Sequence, residues 1–296
     1  MNKFSKKLCL LLFLSVSTHV IAQIEQGPGS FLYNQYEPLK DKPLKVWYYS
    51  PKKDPSDLPV LMVLHGTTRN ADVYRDNWIG LADKYGILVI APEFSNGHFP
   101  KSRCYNLGNM FNEENIPIEE AKWSYSLIEP LFDHIIGMIN GNQQYYAMFG
   151  HSAGAQFVHR FAMFKPDNRA HTIISSNAGW YTLPDLQVNF PYGLRNTTAS
   201  EDQLKKVFQK KMIIQLGEAD IDTNHKSLRK TKEALQQGEH RFARGQYFYQ
   251  QAVQMADALS TDFNWEIRTV PMAGHFNKDM AIPAATYLFP EYLVHK

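Results

Sequence analysis

Ser152 stands midway between two glycines in Gly150-His151-Ser152-Ala153-Gly154, and the segments on either side leave the chain little freedom in how it folds there. Tyr145-Tyr146-Ala147-Met148-Phe149 precedes it, apolar and aromatic and of strand length, while 153–164 carries its apolar residues at helical spacing. A strand that enters a helix through so short a link must turn sharply. The positions two before and two after the apex must then be small, and both are glycine. This predicts strand, tight turn and helix, with the hydroxyl of Ser152 held at the apex. Such a pentapeptide turns up by chance in roughly one chain in ten of this length, so the rest of the sequence has to decide what it means.

Three further segments bear on it. Pro59-Val60-Leu61-Met62-Val63-Leu64 is a continuous apolar run of the kind buried on both faces of a sheet, and it leads into His65-Gly66-Thr67-Thr68. When a serine at such a turn carries out acyl transfer, a loop after an early strand supplies one backbone N–H to the developing oxyanion and the residue after the serine supplies the other. Those donors are Thr67 and Ala153. Lys211-Met212-Ile213-Ile214-Gln215-Leu216 reads as another buried strand and ends in Gly217-Glu218-Ala219-Asp220-Ile221-Asp222, a turn able to present a carboxylate to an imidazole. Asp220 is the first choice, with Asp222 and Glu218 open beside it. Near the C-terminus the alternating 265–270 precedes Pro271-Met272-Ala273-Gly274-His275. His275 is the candidate base, with His151 and His65 as the alternatives.

The order Ser, Asp, His is that of the α/β-hydrolase triad and differs from the orders of the chymotrypsin and subtilisin folds. Nearly the whole chain resembles the α/β-hydrolase superfamily, with Ser152, Asp220 and His275 falling on its nucleophile, acid and base. His65-Gly66-Thr67-Thr68-Arg69-Asn70-Ala71-Asp72 is similar, more narrowly, to secreted bacterial esterases related to poly(3-hydroxybutyrate) depolymerases and feruloyl esterases. The resemblance implies hydrolysis of a small or polymeric carboxylic ester through an acyl-enzyme, without a cofactor. A peptidase or amidase with the same triad is the alternative enzyme, and an inactive hydrolase fold used for binding is the alternative from another class.

Strands are expected at 44–49, 60–64, 87–91, 145–149, 172–176, 211–216 and 265–270, with an early strand pair between Gly27 and Lys45. Helices are expected at 73–85, 120–139, 153–164, 245–259 and 279–288. This alternation predicts an α/β fold, a mostly parallel central sheet with helices on both faces, in a single domain over 23–296. Two insertions interrupt it, near 179–209 and 225–245. The first holds Trp180, Tyr181, Phe190 and Tyr192, and Trp180 and Tyr181 are candidates for lining a substrate pocket, against simple packing of a surface loop. The second carries Lys226, Arg229, Lys230, Lys232, Arg241 and Arg244, which read as a solvated helix face or as a receiver for an acidic substrate.

Residues 1–22 read as a signal peptide, with Lys3, Lys6 and Lys7 before an apolar core from Leu8 to Val16 and small residues before Gln23, which predicts a periplasmic or secreted protein. That core is too short to span a bilayer, and no later run approaches the required length. Without the leader Cys104 is the only cysteine, so no intramolecular disulfide can form. Setting aside the three leader lysines, 28 basic residues stand against 29 acidic ones, a balance that favours neither nucleic acid nor an anionic membrane as partner. No paired Cys/His spacing, H-E-x-x-H or phosphate-binding glycine motif is present, so neither a metal nor a nucleotide is expected.

Overall fold

The strands that read as unbroken apolar runs are those buried on both sides. The computed structural model describes residues 23–289, so the leader expected at 1–22 lies outside the described residues. Eight strands form one sheet among them: β1 (Gly27–Tyr33), β2 (Leu44–Ser50), β3 (Val60–Leu64), β4 (Leu88–Glu93), β5 (Tyr146–His151), β6 (Ala170–Ser176), β7 (Lys211–Gly217) and β8 (Trp265–Val270). Their order is β1-β2-β4-β3-β5-β6-β7-β8. The pairs β1/β2 and β2/β4 are antiparallel and all the others parallel. Every residue of β3 and β5 is buried, whereas β2 alternates and the edge strands β1 and β8 are partly open.

Alternate side chains of the central strands feed two separate apolar layers. Val60, Met62, Leu64, Tyr146 and Met148 face one, Leu61, Val63, Ala147 and Phe149 the other. The helices are α1 (Ala71–Asp76), α2 (Ile79–Tyr85), α3 (Lys101–Cys104), α4 (Ile128–Ile139), α5 (Ala153–Phe164), α6 (Glu201–Gln209), α7 (Lys232–Gln236), α8 (Arg241–Ala258) and α9 (Asn277–Leu288). Residues of α4, α5, α6 and α8 pack in the first layer, and residues of α1, α2 and α9 in the second. This is the α/β-hydrolase arrangement, a mostly parallel sheet covered on both faces.

The differences from expectation have local causes. Between Gly27 and Lys45 there is one new strand, not two: β1 pairs directly with β2. The helix expected over 73–85 breaks after Asp76, where the fully buried Trp78 packs its ring 5.2 Å from Phe149. Within 120–139 the first residues form two short 3-10 turns, because Trp123 between them is extended. α8 starts four residues early, with the His240 side chain accepting from Ala243 N–H. Gly245, which resembles a helix boundary, lies inside the helix, and the Leu216 side chain occupies the space a Cβ would need there. α6 was not expected, although Ser200 and Gln203 form the capping box that announces it.

Candidate active site

The turn after β5 is as tight as its glycines suggest. Ser152 has φ 58 and ψ −114, a backbone conformation that costs a non-glycine residue of order 1–3 kcal/mol and that the surroundings must impose. They do so on both sides. Ser152 N–H donates to Ser176 O of β6 at 3.0 Å, and Gln156 N–H donates to Ser152 O at 3.1 Å, closing the first turn of α5. A Cβ at Gly150 would overlap the carbonyl of Gly154, and a Cβ at Gly154 would overlap that of Leu64. Gly154→Ala is therefore expected to drive β3 and α5 apart and to cost about 3 kcal/mol or more of stability, read as a lowered urea midpoint with the slope unchanged.

Two loops bring the other polar groups to this apex. The acid-bearing turn after β7 is fastened to the end of β8 and the loop that follows it: Glu218 N–H donates to Val270 O at 3.1 Å, and Ala219 N–H to Ala273 O at 2.8 Å. Gly217 permits the approach, since a Cβ there would lie 2.5 Å from Ala273 O. Asn177, just past β6, ties both together by accepting from Gly217 N–H at 2.8 Å and donating to Gly274 O at 3.0 Å. The result is a continuous chain: His275 Nε2 lies 3.0 Å from Ser152 Oγ, and His275 Nδ1 lies 2.7 Å from Asp220 Oδ2. Asp222 instead accepts from Asn224 N–H and Glu218 from Thr269 Oγ1, both at the surface. Of the three carboxylates open in the sequence, Asp220 reaches the imidazole.

Asp220 has a second partner that the sequence did not reveal. Arg241 Nη1 donates to its Oδ1 at 3.2 Å, and both side chains are 2% exposed. A carboxylate so deeply buried needs compensation for lost hydration, and the guanidinium supplies opposite charge and a donor together. Part of the basic insertion is thus internal. Arg244 is also fully buried and donates to the carbonyls of Gly179, Arg229 and Gly238, while Lys226, Lys230 and Lys232 are exposed.

Ala153 directly follows the serine, and Thr67 lies one residue past Gly66 in the loop after β3. Ala153 is the first residue of α5, so its N–H has no acceptor one turn earlier. The loop after β3 passes close by, with the Cβ position of Gly66 3.7 Å from Ser152 Cβ. Trp180 and Tyr181 do not line an open pocket. Tyr181 is fully buried and stacked on Phe248 at 4.4 Å, and Trp180, 4% exposed, is flanked by the guanidinium groups of Arg160 at 4.3 Å and Arg229 at 4.8 Å. Among the described residues, no group of three or more His, Cys, Asp or Glu side chains could hold a metal ion, and no helix is long and apolar enough to cross a membrane.

The alternative bases are occupied elsewhere. His65 accepts from Phe94 N–H through Nε2 and contacts Gly66 O through Nδ1, and His151 Nδ1 lies 2.9 Å from Tyr74 Oη. Burial pushes His65 down to about 3, with the positive Arg69 contributing, and burial likewise holds His151 and His159 well below the usual histidine range. These rings are neutral in the folded chain and must charge when it unfolds in acid. A depressed folded value means stability is fully present above the unfolded value near 6.5 and lost as pH falls towards 3, by up to about 1.4 kcal/mol per pH unit per histidine. Urea midpoints should therefore fall steeply below about pH 6, and His65→Gln should flatten that slope.

Comparison with known proteins sets this geometry in context. No protein-family model matches the chain, and no curated protein does. Among solved structures, it is 41% identical to poly(aspartic acid) hydrolase-1 from Sphingomonas sp. KT-1, covering 90% of this chain and 99% of that one with a TM-score of 0.87. It is 33% identical to a poly(3-hydroxybutyrate) depolymerase from Bordetella parapertussis, covering 90% and 91% with a TM-score of 0.85. An S-formylglutathione hydrolase from Agrobacterium tumefaciens shares the fold, at 18% identity, 88% and 95% coverage and a TM-score of 0.57.

Proposed function

The chain belongs to the α/β-hydrolase family of esterase-type serine hydrolases, and from that premise we propose that it is an exported carboxylic ester hydrolase working through Ser152, His275 and Asp220. The unbroken hydrogen-bonded chain from Ser152 Oγ through His275 to Asp220 carries this reading. In the acylation step, His275 Nε2 takes the hydroxyl proton as Oγ attacks the ester carbonyl. Asp220 holds the proton on Nδ1 and stabilises the imidazolium that forms. The N–H groups of Thr67 and Ala153 receive the negative charge that builds on the carbonyl oxygen, a contribution of about 3 kcal/mol for each donor. His275 then protonates the departing alcohol, and a water activated by the same nitrogen releases the acid.

The similarity to a poly(3-hydroxybutyrate) depolymerase supports a polymeric or small ester as substrate. Amide hydrolysis by the same groups is the second reading. It is favoured by the 41% identity to a poly(aspartic acid) hydrolase, because that polymer is joined by amide bonds. Export rests on the leader-like 1–22. Parallel assays on a p-nitrophenyl ester and the anilide of the same acid separate the two activities. Turnover of the ester with little or none of the anilide is the expected result, and a faster anilide reaction would move the assignment to an amidase.

A further inference from the structure

Arg241 does more than compensate Asp220. Its other terminal nitrogen, Nη2, reaches His225 Nδ1 at 3.1 Å and Ser227 Oγ at 3.0 Å. His225 Nδ1 also meets Ser227 N–H at 3.2 Å and Ser227 Oγ at 2.9 Å. A guanidinium and a backbone N–H can only donate, so Nδ1 must present its lone pair, and the proton of this ring is forced onto Nε2. Among the described residues Nε2–H has no acceptor. The ring lies 5.8 Å, centroid to centroid, from that of His275, and it is only half-buried. A fixed N–H donor therefore stands next to the base without an acceptor among the described residues.

The segment that follows, 226–232, is cationic and contains no acidic residue. Lys226, Lys230 and Lys232 are exposed, and neither they nor Arg229 form an ion pair among the described residues. Arg229 is held in place by neutral groups: Nε donates to Tyr192 Oη at 2.6 Å, and its guanidinium lies over the rings of Trp180 and Tyr192. Trp180 thus serves as a platform for a charge.

We propose that His225, locked by Arg241 into the tautomer that carries its proton on Nε2, is a substrate-binding residue that receives a carboxylate near the scissile bond, and that with the adjoining cationic segment it makes the site selective for acidic esters. The selectivity presupposes His275 as the base of the site. One guanidinium then sets both the orientation of the acid and the specificity of the pocket.

The test compares p-nitrophenyl hemisuccinate and p-carboxyphenyl butyrate with neutral p-nitrophenyl butyrate and phenyl butyrate, in wild type, His225→Ala and His225→Asn. The readout is the ratio of kcat/KM for each acidic ester to that for its neutral counterpart. Wild type is expected to favour at least one acidic ester, with the preference shrinking as salt is raised. His225→Ala should lower that ratio about tenfold, chiefly through KM, and His225→Asn, which keeps an N–H donor, should recover part of it. An unchanged ratio in His225→Ala, or no acid preference in wild type, overturns the inference while leaving the hydrolase reading intact. Wild type that hydrolyses none of the four esters overturns both.

Discussion

Ser152→Ala is expected to lower kcat on a p-nitrophenyl ester by about six orders of magnitude, the scale of loss when the nucleophile of a serine hydrolase is removed. The fold should survive. Ser152 makes no side-chain cap to α5, and its backbone is set by Ser176, Gln156 and the flanking glycines, none of which needs the hydroxyl. Melting temperature and circular dichroism should therefore stay close to wild type while turnover disappears. A variant that keeps a tenth of wild-type turnover would remove Ser152 from the mechanism.

Asp220→Asn should cost about four orders of magnitude in kcat, because the amide favours the wrong imidazole tautomer. This position carries a second penalty. The substitution leaves the Arg241 guanidinium buried beside a neutral group, and removing one partner of a buried ion pair costs about 3–5 kcal/mol. Asp220→Asn should thus be both inactive and less stable, so kcat must be referred to the folded fraction measured by circular dichroism at the assay temperature. Asp222→Asn, at an exposed residue whose carboxylate only turns back on Asn224 N–H, should lie within about twofold of wild type, as surface substitutions usually do. Equal losses in the two variants would leave Asp220 without a special role.

The parts of the site that could be read in advance are those where backbone geometry forces a residue type. Gly150 and Gly154 are required by contacts with backbone carbonyls that any strand, turn and helix of this kind would make, so Ser152 stood out. Buried parallel strands were readable for a similar reason, since burial on both faces leaves an unbroken apolar run. Asp220 and Asp222 lie two residues apart on one turn, and the long-range ties of that turn, from Glu218 and Ala219 to Val270 and Ala273 and from Arg241 to Asp220, accompany the choice of carboxylate that faces His275. Arg241 and His225 were not legible. A lysine- and arginine-rich stretch looks the same whether its charges face water or a buried carboxylate, and the difference depends on α8 packing against β7, a contact between distant residues. Trp180 and Tyr181 erred in the other direction. Aromatic residues after a strand suggest a pocket wall, but here one packs into the core and the other supports Arg229.

Covalent labelling tests the central assignment most directly. The enzyme is treated with a fluorophosphonate, the adduct is located by peptide mass spectrometry, and residual ester hydrolysis is followed in the same samples. One phosphonyl group per chain is expected, on Ser152, with activity falling in step with its incorporation and with His275→Gln labelling far more slowly. An adduct on another residue, or full activity in protein labelled to completion on Ser152, would contradict the assignment of Ser152 as the nucleophile.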